Sequence, residues 1–222
     1  MKNNYLYVIK DALSQNSSQT VLALDNKLNE FYPDYYEAVY DLKLLVTRKP
    51  TEAEKNSPIY NGIYEKIGSD DITVLKDSAL EEKAKRVFLN GFRQEHFDYI
   101  APYIKETTEV LYLFKCPKIK DLSVLSEFRR LKCLSVYWND SIEKLWNMEN
   151  NRELEVLSFV SISKLRDVSS LKNSNVKYVT FDSADNSGNT KDCLIEDMSV
   201  FEQMPQLNHL NLVYKNVMLT IE

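Results

Sequence analysis

A chain of 222 residues can bury a sizeable core in one or two domains, and its composition, 44% apolar and 27% charged, is ordinary for a soluble protein. The net charge is −5, and acidic residues outnumber basic ones in both halves, which disfavours nucleic-acid binding because phosphate backbones attract basic surfaces. The composition also disfavours a membrane protein, since no apolar run approaches the roughly 20 residues that a bilayer requires.

The N-terminus and the cysteines bear on the cellular compartment. Residues 1–10 contain no long apolar run, so we expect neither a signal peptide nor a membrane anchor there. The cysteines, Cys116, Cys133 and Cys193, are odd in number and lack paired metal-ligand spacing. We therefore expect a cytoplasmic protein with neither a metal site nor a cofactor.

Residues 1–70 are predicted to form a helical N-terminal region, which would cap the rest of the chain or offer a second contact surface. Apolar residues recur there at helical spacing. A helix opened by Pro33 would extend through residues 42–45, and Ile67 would belong to a later helical turn. A polar break then separates this region from a second domain over residues 71–222.

The second domain is predicted to begin with a degenerate repeat over residues 79–107. Residues 72–75 form a strand candidate, and residues 79–86 a short helix. Val87 and Leu89 then alternate with one residue between them, as in the clearer repeats that follow. Further apolar positions of this first repeat are Phe97, Ile100 and Ile104.

The clear repeats, over about residues 108–216, are marked by an apolar ladder that restarts several times. Each copy has two apolar residues separated by one residue, followed by apolar residues at about every third position. A fixed period of 20–29 residues is typical of leucine-rich repeats, whose neighbours must stack to bury their apolar faces. Successive copies are 23, 23 and 22 residues apart, at the equivalent positions Leu111, Leu134, Leu157 and Val179.

One repeat has a simple physical interpretation. The alternating pair forms a strand, and the apolar residues at every third position suit 3₁₀ turns or short helices on the convex side. The turn after the strand leaves backbone groups unpaired, and an Asn or Cys side chain can bond them. Cys116 and Asn139 occupy that position, whereas Ile162 and Ala184 occupy it in the next two copies, so the series is incomplete.

These residues make the chain, over about 86–216, resemble the bacterial leucine-rich repeat family, especially its internalin-like short-repeat type. The resemblance implies an α/β fold: a curved solenoid with a parallel sheet on its concave face, and a concave surface that binds protein. Internalins carry an export signal and a surface anchor. Neither is expected here, so their role at the cell surface is not carried over.

The ladder is interrupted after Phe181. The next clear copy, around Leu210, comes 31 residues after Val179, and the excess fits the polar segment 185–191 as a surface loop. The tail 217–221 alternates weakly and is a candidate last strand. An uncovered last strand favours pairing with another chain, so we expect a homodimer or a partner at this end.

Strand alternation predicts which side chains face the concave side. They include an aromatic stripe, and Tyr and Trp are enriched at binding hot spots. The alternative is that the N-terminal region covers part of this face, or that aromatics merely suit strands. The predicted partner-binding residues are Phe88, Tyr112, Phe114, Lys115, Tyr137, Trp138, Tyr178, Asp182, His209 and Tyr214.

Catalytic patterns are poor. His96 is predicted to be a surface residue with no nucleophile beside it, and no zinc-protease, P-loop or dinucleotide motif occurs. Asp70, Asp71 and Asp77 are more simply explained as solvated turn carboxylates than as a cation site. We therefore expect a non-enzyme that binds a protein partner and neither nucleic acid nor membrane. The alternatives are an immunity or inhibitor protein that neutralises a toxin or enzyme, and an enzymatic or ligand-binding activity in residues 1–85.

Overall fold

The computed structural model describes residues 42–46, 65–67, 84–185 and 188–221. Within these ranges, nine strands form one sheet: β1 (Leu42–Val46), β2 (Glu65–Ile67), β3 (Arg86–Asn90), β4 (Val110–Phe114), β5 (Cys133–Asn139), β6 (Val156–Ile162), β7 (Tyr178–Asp182), β8 (His209–Tyr214) and β9 (Val217–Ile221). Helix α1 spans Gln94–Ile104, and 3₁₀ helices span Ser123–Glu127, Ser169–Asn173 and Met198–Gln203. The protein is therefore an α/β protein with few helices.

The strands β3 to β8 are parallel, and each lies beside its predecessor in the chain. Strand β1 pairs in parallel with β3, and β2 with β1, whereas β9 runs antiparallel to β8. Positions that the period predicts to be equivalent are paired in register, as Leu134 with Leu157 and Leu157 with Val179. The predicted spacing of the repeats is thus confirmed by the pairing.

The large apolar cluster lies on one face of this sheet. Every apolar member of the predicted ladder from Leu111 to Phe181 is buried, and so are the first-repeat residues Phe97, Ile100 and Ile104 on α1. The 3₁₀ helices add Leu125 and Leu171, and the last of them adds Val200 and Phe201, to the same apolar cluster. Short helices at every third apolar position are the elements that the ladder predicted for this side.

One hydrogen-bond pattern recurs at the amino ends of the strands. The carbonyl of Lys85 accepts from the N–H groups of Glu109 and Val110, at 2.7 and 2.9 Å. The residue directly before each later strand repeats this contact with the next strand, since Glu109, Lys132, Glu155 and Lys177 each accept from two successive N–H groups. Because each carbonyl has two lone pairs, this pattern satisfies both donors with one acceptor.

The side chains of the same residues alternate in charge, and we call Lys85, Glu109, Lys132, Glu155 and Lys177 the amino-edge charge row. The Glu109 carboxylate lies 3.2 Å from Lys85 Nζ and 2.7 Å from Lys132 Nζ, and Glu155 lies 2.6 Å from Lys177 Nζ. An arrangement that skipped one repeat would place like charges side by side, for example Lys85 beside Lys132. The row therefore favours the observed order of repeats.

Asn139 bonds the turn behind its strand, as its position predicts. Its Nδ2 donates to the carbonyls of Cys116 and Ile119 at 2.7 and 2.8 Å, and its Oδ1 accepts from the N–H groups of Ser141 and Ile142. Asn151, which the sequence predictions did not include, is a second buried amide that bonds the backbone of a turn. The side chain of Asn151 donates to the carbonyls of Leu125 and Phe128 and accepts from Trp146 Nε1 at 2.8 Å.

Residues 1–70 are predicted to be helical, but the parts of this region that the structure describes are not helices. Residues 42–46 and 65–67 are strands, so helix is wrong there, and the sheet begins before residue 71. Pairing with a neighbouring strand overrides the local helical pattern of such short apolar segments. Arg86 begins a strand rather than ending a helix. The remainder of residues 1–70, with the strand candidate at 72–75 and the helix at 79–83, lies outside the described residues.

The C-terminal part contains the predicted last strand and the predicted polar connection. The tail forms strand β9, and the polar segment 185–191 connects β7 to the last 3₁₀ helix, with its described residues largely exposed. Asp185 closes the segment on itself by accepting the Asn189 N–H at 2.9 Å. Within the described ranges, no helix has the length and apolar character needed to cross a membrane.

Candidate functional site

A left-handed backbone residue recurs at the carboxyl ends of successive strands. The φ angles are 74° at Gly91, 51° at Lys115, 60° at Trp138 and 56° at Ser161. A residue other than glycine costs roughly 1–2 kcal/mol in this conformation. The conformation turns the chain so that the residue after it, such as Asn139 or Ile162, is buried, while Trp138 itself points out.

Aromatic rings stack across the neighbouring strands on the outer face of the sheet, opposite the core. The Phe114 and Tyr137 ring centroids are 5.3 Å apart and nearly parallel, and Phe88 stacks on Phe114 at 5.6 Å. Tyr112 meets the edges of Phe88 and Phe114 at 5.2 and 5.8 Å. Such contacts fix ring orientations and add stability beyond area burial.

A cation completes this arrangement. Lys115 Nζ lies 5.1 Å from the Phe114 ring centroid and 5.4 Å from that of Trp138, within the distance for cation–π attraction. Trp138 is 41% exposed, and among the described residues it is the one exposed large apolar side chain. We call Phe114, Lys115, Tyr137 and Trp138 the carboxyl-edge strip. The other three members are half-buried.

The other residues predicted to bind a partner are less accessible. Phe88, Tyr112 and His209 project from the outer face but are at most 3% exposed, so they offer no open surface in this structure. Tyr178 and Asp182 are half-buried.

Tyr214 belongs to the core rather than to the outer face. It is equivalent to Trp138 in the repeat, but it lacks the left-handed backbone that turns Trp138 outward. Strand alternation therefore continues through β8, and Tyr214 lies on the same side as Leu210 and Leu212.

Burial perturbs the Asp182 carboxyl and the Tyr214 hydroxyl, which lie near this end of the sheet. It raises the pKa of the Asp182 carboxyl, an effect that a hydrogen bond from the Ala184 N–H, at 2.6 Å, partly offsets. Burial also raises the pKa of the Tyr214 hydroxyl, and the charges of Cys193 and Asp182 add to the effect. In the described part of the chain, this hydroxyl has no hydrogen-bond partner.

A cavity of about 320 Å³ opens beside Trp138, at the carboxyl ends of β5, β6 and β7. We call it the Trp138 cavity. Sites at the carboxyl ends of parallel strands are common because the loops there meet at one edge of the sheet. Residues from three successive repeats line it: Trp138, Asp140, Ser161, Ile162, Ser163, Ser183, Asp185 and Lys191.

Hydrogen bonds between these loops hold the cavity walls. Ser163 Oγ donates to Asp140 Oδ1 at 2.6 Å, and Ser161 Oγ donates to the Ala184 carbonyl at 2.5 Å. The Lys191 N–H donates to Ser183 Oγ at 2.9 Å, which joins the polar segment 185–191 to the sheet. The sequence predictions missed this cavity, because its residues come from three loops with no shared local motif.

The structure offers little for catalysis at the positions described. His96, predicted to lie on the surface, is 2% exposed, and its Nδ1 accepts from the Arg93 N–H at 3.3 Å at the start of α1. Burial raises the pKa of the Cys116 thiol to about 12, so it is not a reactive thiolate. Within the described ranges, no three His, Cys, Asp or Glu residues are grouped to hold a metal ion. The carboxylates Asp70, Asp71 and Asp77 lie outside those ranges.

Comparison with protein-family models and curated proteins gave no match, and no solved structure matches the chain.

Proposed function

We propose that this protein is a leucine-rich repeat solenoid that binds a protein partner through the carboxyl-edge strip. The observation that carries the proposal is the exposure of Trp138, held outward by a left-handed backbone beside Lys115. A large exposed indole with a neighbouring cation is the kind of side chain that dominates binding energy at interfaces.

The size of the accessible surface favours a narrow partner element. The strip spans β4 and β5, and neighbouring strands lie about 4.8 Å apart. With the Trp138 cavity, the accessible region extends across four strands, roughly 15 Å. A single loop or extended segment of the partner fits this width better than a broad flat surface does.

The same proposal includes a cytoplasmic location and a role as a binding protein rather than an enzyme. All three cysteines are unbridged, which suits a reducing cytoplasm. In the described residues beside the strip, the hydroxyl groups of Ser161 and Ser163 bond to a backbone carbonyl and a carboxylate rather than to a histidine base, so binding rather than catalysis is the proposed role. An inhibitor that neutralises a toxin or enzyme would use the same surface, and the identity of the captured partner would distinguish it.

The test compares three immobilised forms of the protein against lysate of the source cell: the parent, Trp138→Ala and Tyr99→Ala. Tyr99 is a matched control, a partly exposed aromatic residue on α1, away from the strip. We expect the parent and Tyr99→Ala to retain a stoichiometric protein partner, and Trp138→Ala to bind it at least 2 kcal/mol more weakly. Equal retention by all three forms would contradict the proposal.

Light scattering on the purified protein checks whether the chain instead pairs with itself through β9. A dimer that persists in Trp138→Ala would place self-association at the C-terminal edge and separate it from partner binding.

A further inference from the structure

The Trp138 cavity combines an aromatic wall with carboxylates and hydroxyl groups. Trp138 forms one side, and Asp140 and Asp185 supply two exposed carboxylates. Lys191 also lines the cavity, so two negative charges face one positive charge. The lining therefore carries a net negative charge, which favours a cationic ligand over an anionic one.

Trp138 borders the cavity and also meets a cation that the protein supplies itself. Lys115, on the β4 side, lies over its ring at 5.4 Å, whereas the other cavity residues come from the β5, β6 and β7 side. The contact with Lys115 illustrates that this indole accepts a cation. An indole has two faces, so a second, flat cation can stack on the face that Lys115 does not occupy.

Asp140 is held in place but keeps hydrogen-bonding capacity. Its Oδ1 accepts from Ser163 Oγ at 2.6 Å, which fixes the carboxylate against the next repeat. An ionised carboxylate has about four acceptor sites, so this bond leaves capacity for further donors. A fixed carboxylate beside an aromatic wall suits a planar donor that can stack and bond at the same time.

The volume limits what can enter. A cavity of about 320 Å³ is at the lower end of the range for small-molecule sites, roughly 300–1,000 Å³. It suits a single long side chain better than a large cofactor. Guanidinium meets these requirements together, because it is flat, permanently charged, and binds carboxylates through two parallel N–H donors.

We propose that the Trp138 cavity binds an arginine side chain of the protein partner, stacked on Trp138 and bonded to Asp140, while the Asp185 carboxylate, itself bonded to Asn189, adds negative charge nearby. This inference rests on the proposed function, since it specifies the chemistry of the partner segment. It makes the cavity the specificity element and the carboxyl-edge strip the surrounding contact area.

The experiment uses the purified protein and two peptides, so it does not depend on capture of a partner. The probes are Ac-Gly-Gly-Arg-Gly-Gly-amide and the same peptide with citrulline, which has the shape of arginine without its charge. The chain has two tryptophans, and their indole N–H signals are followed by NMR. Trp146, buried and bonded to Asn151, serves as the internal reference.

With the arginine peptide, we expect the Trp138 signal to shift saturably, with a Kd on the order of 1 mM, while the Trp146 signal stays in place. The citrulline peptide should bind about tenfold more weakly, because it lacks the charge. Equal shifts with the two peptides, or no shift with either at about 10 mM, would overturn the proposal.

Three variants locate the ligand. Asp140→Asn keeps an acceptor for Ser163 but loses the charge, and should weaken binding of the arginine peptide about fivefold. Asp98→Asn, at an exposed carboxylate on α1, should leave binding unchanged. Lys191→Ala should tighten binding about threefold by removing a like charge, whereas weaker binding there would indicate an anionic ligand and refute the proposal.

The two proposals fail separately. If the arginine peptide does not bind but Trp138→Ala still loses the protein partner, the strip is the interface and the cavity inference is wrong. If the arginine peptide binds but Trp138→Ala retains the protein partner, the cavity is a real cation site and the proposed interface is wrong.

Discussion

At the amino ends of the strands, charged side chains of alternating sign bond one another from repeat to repeat, as Lys85, Glu109 and Lys132 do. At the carboxyl ends, the same repeats present Trp138 to solvent and enclose a cavity between loops. The strand pairing is in register throughout, so the contrast comes from side chains and from the left-handed residue that ends the strands.

This contrast shows that one repeated backbone can present an edge whose charges are satisfied internally and an edge with an exposed side chain. The amino edge satisfies its own charges and carbonyls, so it gains little by meeting another molecule. The carboxyl edge accepts backbone strain at Lys115, Trp138 and Ser161, and in return holds side chains outward. Four substitutions test whether the two edges are as independent as this comparison implies.

The largest expected effect lies beneath both edges. Leu157→Ala should lower the free energy of unfolding by about 2–5 kcal/mol, because Leu157 is fully buried and pairs with Leu134 and Val179 in the neighbouring strands. Urea unfolding measures it, with the partly buried Val160→Ala on the same strand as control. If Leu157→Ala unfolds at the same urea concentration as the parent, the assignment of Leu157 to the core is wrong.

The next largest loss of stability is expected at the turn that follows β5, where Asn139 is buried. Asn139→Ala removes four hydrogen bonds to the turn, and should cost about 2–4 kcal/mol because buried backbone groups lose their partners. The exposed Asn150→Ala is the control for unfolding measurements. A change below about 0.5 kcal/mol would mean that water replaces the amide without penalty.

The amino edge should give a smaller effect that depends on pH. The hydrogen bond from Lys132, with a further one from Lys85, holds the pKa of Glu109 below its usual 4.5, although burial opposes this shift. A lowered pKa in the folded state stabilises the fold above the unfolded value, and this stability is lost as the pH falls through the folded pKa.

Glu109→Gln should therefore cost about 1 kcal/mol at pH 7, and the difference from the parent should vanish at a pH below the folded pKa. The exposed Glu153→Gln is the control. The parent and Glu109→Gln should bind the arginine peptide equally. Weaker peptide binding in Glu109→Gln would show that the two edges are coupled.

The smallest change in stability is expected at the most exposed site. Trp138→Ala should lower the free energy of unfolding by no more than about 1 kcal/mol, because the indole is the one exposed large apolar side chain in the described part of the chain, although part of it is covered. Trp146→Ala is the contrasting variant, because removing its buried indole should lower the free energy of unfolding by about 3–5 kcal/mol. A large decrease in the free energy of unfolding of Trp138→Ala would mean that the carboxyl-edge strip stabilises the fold.

Much of the repeat architecture was predictable from the sequence. The period placed Leu134 opposite Leu157, and alternation placed both in the core. The position of Asn139 predicted its bonds to the turn, because few side chains can satisfy both donors and acceptors there. These predictions succeeded because they rest on spacing along the chain, which the sequence displays directly.

The candidate site was less predictable. Alternation gives the direction of a side chain but not what covers it, so the burial of Phe88, Tyr112 and His209 was not foreseen. Tyr214 was misplaced because the left-handed turn that exposes Trp138 is absent at its position, and no residue type announces that difference. The Trp138 cavity depends on three loops meeting, which is a property of the fold alone.

The reversed direction of β9 sets a limit on how this chain can grow. A further unit joined to β8 would have to run parallel and begin on the carbonyl that precedes the strand, but β9 occupies that edge in the opposite sense. A whole repeat, meaning one strand and the turn that follows it, can therefore be inserted between β4 and β7. It cannot be added after β8, because β9 occupies that edge. The hairpin of β8 and β9 therefore closes this edge of the sheet to a further parallel strand.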